Sequence, residues 1–158
     1  MSVKDFVQQR RDTLIAMRRD FHMHPEPAWL EYRSAAKVAD MLISLGYDVA
    51  LGADVLDLDS RMGLPSDEVM KAAMDRAIEE GANPVLVEKM GYGKTAIVAT
   101  MKFGGEGPVV AFRVDMDSND VIEAKEDSHV PTKKGFRSCH DKAMHACGHD
   151  AHMTMGLG

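Results

Sequence analysis

Cysteine is scarce in this chain, with only Cys139 and Cys147 among 158 residues. Two thiols eight positions apart could close one small loop in an exported protein, but they cannot staple a fold. The chain must instead bury an apolar core, and 45% hydrophobic residues over this length are enough for one globular domain. The opening Met1-Ser2-Val3-Lys4-Asp5 lacks the apolar stretch of a secretory leader, so the expectation is a cytoplasmic protein with reduced thiols. No apolar run approaches the roughly 20 residues needed to span a bilayer, which argues against a membrane protein. Basic charge is also short: 19 Lys and Arg stand against 25 Asp and Glu, for a net charge of −6. The basic residues are scattered, and phosphate neutralisation needs them clustered, so a nucleic-acid partner is not expected. Internal repeats, low-complexity tracts and linker-like segments are absent.

What is present reads as alternating helices and strands. From Asp5 to His22 the apolar positions Phe6, Leu14, Met17 and Phe21 recur at helical spacing, and Pro25 and Pro27 stop the run. Arg10-Arg11 and Arg18-Arg19 read as its solvated face. His22 and His24 are either ligands or, as a proline-rich turn favours, capping and packing residues. A second helix is expected from about Glu31 to Leu45, ended by Gly46, and Tyr47–Leu51 alternates as a strand. Residues 53–88 differ in character and read as an insertion. Within it Ser66 is an N-cap with Asp67 and Glu68 behind it, and Met70, Ala73, Met74, Ala77 and Ile78 form a core-facing stripe before Gly81. The runs 95–101 and 108–114, separated by Gly104-Gly105-Glu106-Gly107, read as a hairpin, the second run apolar on both faces and hence buried. At its end, Asp115 and Asp117 point to one side if the strand continues, either as a ligand site or as a solvated strand end.

Between Cys139 and His152 lie both cysteines and four of the seven histidines. Thiolate, imidazole and carboxylate donors this dense suit a transition metal. Cys147 and His149, at i, i+2 around Gly148, fit one side of a tight loop. A closed structural zinc knot and an open catalytic site both remain compatible with the spacing. Gly91-Tyr92-Gly93-Lys94-Thr95 is not a phosphate loop, because Glu88 stands where the first glycine is required. No serine-hydrolase elbow is present.

Three segments in order, Arg18-Arg19-Asp20-Phe21-His22-x-x-Pro25-Glu26, Arg113-Val114-Asp115-Met116-Asp117 and Met144-His145-Ala146-Cys147-Gly148-His149-Asp150-Ala151-His152, resemble the metal-dependent aminoacylase and carboxypeptidase superfamily, in its hippurate-hydrolase-like branch. The insertion further resembles that of the aminobenzoyl-glutamate hydrolases. The resemblance implies an α/β fold, the N-terminal part of a dinuclear-metal peptidase-like catalytic domain with a central mixed sheet flanked by helices. It implies that residues 1–158 are one part of a single catalytic domain, 53–88 being branch-specific, with the dimerisation domain and the C-terminal part of the catalytic domain elsewhere. It implies hydrolysis of an N-acyl amino acid with an aromatic acyl group, p-aminobenzoyl-glutamate above all. The cofactor would be a divalent metal, two ions of manganese or zinc. Cys147 and His149 match metal ligands, and Asp117 matches the carboxylate that orients a ligand. Asp115, His145, Asp150 and His152 fall to supporting or substrate contacts, with His152 packing at a helix start. The implied assembly is a homo-oligomer or a hetero-oligomer with a homologous second subunit. The family's Glu-Glu pair and later histidines have no match here, so the chain alone is expected to be inactive. Asp117-Ser118-Asn119-Asp120 departs from the family's Asp-Ala-Leu-Pro. The rival expectations are an aminoacylase or peptidase for other N-acyl amino acids and a non-catalytic metal-binding module.

Overall fold

In a computed structural model, residues 2–158 are described. They form seven α-helices and two strands in the order α1 (Val3–Gln9), α2 (Arg11–Met23), α3 (Tyr32–Ser44), β1 (Asp48–Leu51), α4 (Asp67–Glu79), α5 (Pro84–Lys89), β2 (Ile97–Thr100), α6 (Val130–Lys133) and α7 (His149–Leu157). The chain divides into two compact units, one combining the N-terminal residues through Pro27 with Val114–Gly158, the other Ala28–Arg113. No helix among the described residues is long and apolar enough to cross a membrane.

The Ala28–Arg113 unit is built on α3. Its apolar face buries Tyr32, Ala35, Ala36 and Ala39, and it packs on α4, α5 and the strand pair. The helix α4 starts where the sequence places it, with the Ser66 hydroxyl accepting the Val69 N–H, and its Met70, Ala73, Met74 and Ala77 stripe is buried. Asn83 caps α5 through the Val85 N–H, with Pro84 at the first helical position, where a missing N–H costs nothing. Strands β1 and β2 pair antiparallel, Asp48 opposite Thr100 and Leu51 opposite Ile97.

The α/β class holds, and one expectation about the sheet is corrected. Residues 108–114 form no strand: β2 takes β1 as its partner rather than the run after the glycine loop. Val109, Val110 and Phe112 are 98%, 68% and 88% exposed. A run of strand-forming residues becomes a strand only when a neighbour accepts its N–H and C=O groups, and 108–114 enters no strand pairing among the described residues. The expected helix over 5–22 is likewise two helices, broken at Arg10, whose φ of −94° and ψ of 2° leave the helical region.

Gly52 follows β1 at φ +70°, and a Cβ there would lie 2.8 Å from the Lys89 carbonyl oxygen. Both the left-handed backbone and the close approach demand glycine. Gly52→Ala is therefore expected to destabilise by about 2–4 kcal/mol in urea unfolding. Gly63→Ala, with φ +70° but open space around it, should lose only the smaller conformational part.

The other unit joins α2 to α7, burying Phe21, Phe136, Met153 and Leu157. Arg18 and Arg19 are not the solvated face expected of them. Both guanidinium groups lie over the Phe136 ring, 5.7 and 4.8 Å from its centroid, and Arg18 reaches a buried carboxylate. The apolar stems and the flat cation make that half-buried position favourable.

Candidate metal centre

The candidate site is made by two loops of the unit that carries α2 and α7. The segment after Asp117 is clipped on both sides: the Ser118 N–H donates to the Glu26 carbonyl at 2.8 Å, and Asn119 and Met144 exchange backbone hydrogen bonds at 3.0 and 3.1 Å. These clips bring Asp117 next to the turn that leads into α7. That turn needs Gly148, which sits at φ +91° and reverses the chain between Cys147 and the first helical residue, His149.

Asp117 meets both candidate ligands. The His149 Nδ1–H donates to the Asp117 carbonyl oxygen at 2.8 Å and lies 3.1 Å from its Oδ1. The Cys147 thiol faces the same carbonyl at 3.7 Å and is exposed. Because a carbonyl only accepts, Nδ1 must carry the hydrogen, and in the neutral ring the lone pair rests on Nε2. A ring held this way by a carbonyl and a carboxylate is the usual arrangement of a metal-binding imidazole. Asp115 and His152 also reach this imidazole: His149, His152 and Asp115 each offer one donor atom, and these atoms lie within 4.8 Å of one another. The donors present, imidazole, carboxylate and an accessible thiol, fit a divalent ion of the zinc or manganese kind.

His145 is 4% exposed, and neither ring nitrogen has a hydrogen-bond partner. Burial pushes it down to about 4; the Asp150 charge opposes this, while His22, His149 and Arg18 add to it. It is neutral at neutral pH. Neither Cys139 nor Cys147 forms a disulfide. The Cys139 N–H donates to the Met23 carbonyl at 2.9 Å, and the His140 Nδ1–H to that of Pro25 at 2.7 Å, so both residues brace the loop behind the motif.

Asp150, fully buried, turns away from this group. Its Oδ2 takes the His22 Nδ1–H at 2.7 Å and the Arg18 Nε–H at 2.8 Å. On the far side of His22, Nε2 meets Glu123 Oε1 at 2.9 Å, and the same oxygen takes His129 Nε2 at 2.7 Å. Glu123 also accepts the Ser138 N–H. Burial alone would raise Glu123, but the hydrogen bonds from His129, His22 and Ser138 outweigh it and hold the carboxyl below its ordinary value. Burial likewise lowers His22, and its bonds to Asp150 and Glu123 more than reverse that. His22 is thus neither a ligand nor a helix cap but the centre of a buried ion network. His24, with Nδ1–H on the Asp20 carbonyl at 2.8 Å, does cap its helix end. Sequence reasoning missed Glu123 and His129 altogether. The only signal was a glutamate in a polar stretch, which carries no pattern.

The glycine-lysine segment after α5 uses its backbone internally, the Gly93 N–H donating to Tyr32 Oη at 2.9 Å, in keeping with the absence of a phosphate loop.

No family model matches the chain. It is 45% identical over 157 residues to one of the subunits of p-aminobenzoyl-glutamate hydrolase from Escherichia coli (strain K12), covering 99% of this chain and 36% of that protein. It is 44% identical over 156 residues to indole-3-acetyl-aspartic acid hydrolase of Enterobacter agglomerans, with the same coverage. The crystal structure of an aminobenzoyl-glutamate utilization protein from Klebsiella pneumoniae superposes with a TM-score of 0.73 at 46% identity, over 77% of this chain and 31% of that one. Over nearly its whole length, then, the chain is homologous to the p-aminobenzoyl-glutamate hydrolases and related amidohydrolases, and it spans about a third of the length of the curated relatives it matches.

Proposed function

We propose that this chain supplies part of the metal centre of an amidohydrolase that cleaves N-acyl amino acids. The observation that carries the reading is the double hold of Asp117 on His149 Nδ1, beside the exposed thiol of Cys147. In this reading Cys147 and His149 bind a divalent ion, manganese or zinc and two ions in the complete site, while Asp117 fixes the imidazole tautomer and orientation. The bound metal would polarise the amide carbonyl and acidify a water molecule. Asp150 serves one step back: locked to His22 and Arg18, it anchors the first turn of α7 and so the backbone of His149. His145, buried and neutral, keeps uncompensated charge out of the wall of the site.

The substrate class follows from the relatives' names. Both p-aminobenzoyl-glutamate and indole-3-acetyl-aspartate join an aromatic acyl group to an acidic amino acid, and we assign that class to the complete enzyme, with p-aminobenzoyl-glutamate first. Residues 53–88 are the branch-specific insertion. The general base, the remaining ligands and the dimerisation domain belong to sequence outside these 158 residues, so the chain alone is inactive. The Escherichia coli relative is named as one subunit of its hydrolase, which supports pairing of the complete protein with a second, homologous subunit. A cytoplasmic setting suits two cysteines that form no disulfide.

The test is a graft of residues 1–158 in place of the matching segment of the Enterobacter hydrolase, assayed with indole-3-acetyl-aspartate, p-aminobenzoyl-glutamate and hippurate. Metal-dependent release of the amino acid is expected, strongest from the acidic conjugates. It should fall by at least about a hundredfold in Cys147→Ser and His149→Ala. Hydrolysis indifferent to both substitutions, or full activity of the isolated chain, would refute the assignment.

A further inference from the structure

Asp117 and the Cys147–His149 turn lie on separate pieces of chain, and what holds those pieces in register is set behind them. The start of α7 has no side-chain cap, because its N-cap residue is Gly148. Its first turn is fixed instead by Asp150, whose Oδ1 accepts the Ala151 N–H at 2.8 Å while Oδ2 is held from α2. On the other piece, Glu123 follows Asp117 by six residues and its side chain is fully buried. His22 stands between the two carboxylates, Nδ1 2.7 Å from Asp150 Oδ2 and Nε2 2.9 Å from Glu123 Oε1. An ionised carboxylate only accepts, so both ring nitrogens carry hydrogen and the ring is an imidazolium. Two charge-assisted bonds from opposite ends of one flat, rigid ring set the separation of their acceptors. The neighbouring side chains hold one carboxylate each: Arg18 binds Asp150 and lies over the Phe136 ring, and His129 binds Glu123 from the start of α6.

We propose that His22 is a positioning residue, a clamp that joins the Asp117 segment to the first turn of α7 through Glu123 and Asp150. The backbone pair of Asn119 and Met144 already ties the two pieces at one point. A single tie leaves a hinge; the second, through His22, fixes the angle at which the Cys147–His149 turn meets Asp117. His22 touches neither Cys147 nor His149 in this role and acts only through Asp150 and Glu123. The clamp stands on these contacts alone, and only its effect on metal uptake rests on the metal reading above.

The test uses His22→Gln, whose one amide group cannot span both carboxylates, in two measurements. In the 158-residue chain, amide hydrogen exchange at Asn119, Met144 and Ala151 should speed up at least about tenfold, while Ala35 and Ala39 of α3 stay within about twofold of the parent. In the graft described above, stripped of metal and titrated with Mn2+, the half-activating concentration should rise at least about tenfold. The kcat and KM at saturating Mn2+ should stay within about threefold of the parent, because the clamp sets the site without touching substrate. Tyr32→Phe, which weakens the other unit, should leave the half-activating concentration unchanged. Exchange that speeds up equally in both units, or not at all, overturns the clamp. A half-activating concentration that moves equally in His22→Gln and Tyr32→Phe reports lost stability alone and overturns the positioning role. A parent graft indifferent to Mn2+ overturns the metal reading instead, and the exchange result then decides the clamp by itself. If circular dichroism shows that His22→Gln does not fold, Glu123→Gln, which removes the charge at one end of the clamp, is read in the same way.

Discussion

Glu123→Ala is expected to lower the stability of the chain by about 3–5 kcal/mol in urea unfolding, the cost of removing one partner from a buried ionic network. The Glu123 side chain is fully buried and holds three donors: His22, His129 and the Ser138 N–H. Removing it strands His22 between Asp150 and an empty space, with Arg18 already committed to the same Asp150 oxygen. Glu123→Gln keeps an acceptor and loses the charge, so it should cost less. The pH dependence gives a second reading of the same network. His22 titrates above its ordinary 6.5 when folded, so its contribution is complete below 6.5 and fades as pH rises through the folded value. Glu123 titrates below its ordinary 4.5, so its contribution is complete above 4.5 and fades as pH falls through the folded value. The stability gap between the parent and Glu123→Gln should therefore be widest between about pH 4.5 and 6.5 and narrow on either side. A gap independent of pH would show that the network is not ionic.

Tyr32→Ala should cost a similar amount, about 3–5 kcal/mol, in the Ala28–Arg113 unit. The ring is 0% exposed at the start of α3, and its hydroxyl accepts the buried N–H of Gly93. Tyr32→Phe separates the two contributions. It keeps the ring and orphans that N–H, for a loss of about 1–3 kcal/mol. The difference between the variants measures packing, and the loss in Tyr32→Phe measures the tether on the 91–93 turn. Equal losses in both would assign the whole effect to the hydrogen bond. A Tyr32→Phe variant as stable as the parent would mean that the turn finds another acceptor.

The features legible in the sequence are those with local causes. Periodic apolar residues place α3 and α4, Ser66 marks a helix start by its side-chain oxygen, and Gly148 between Cys147 and His149 announces a tight turn. What escaped prediction depends on partners distant in the chain. His22 is 128 residues from Asp150 and 101 from Glu123, and no spacing rule connects them. Arg18 looks like any surface cation on a helix until Asp150 and Phe136 are brought to it. The break at Arg10 involves neither glycine nor proline, the residues by which a sequence signals one. The run 108–114 failed for the opposite reason: its composition declares a buried strand, but composition cannot supply the neighbour that pairing needs.

That same run governs how the free chain behaves in solution. Val109 to Val114 holds four residues of high strand propensity, Val109, Val110, Phe112 and Val114, with one charge, Arg113, and no proline after Pro108. Outside any strand, with Val109, Val110 and Phe112 exposed, it offers a segment onto which another molecule can add a strand. Strand addition between copies would make the apparent stability of the isolated polypeptide depend on protein concentration as well as on sequence.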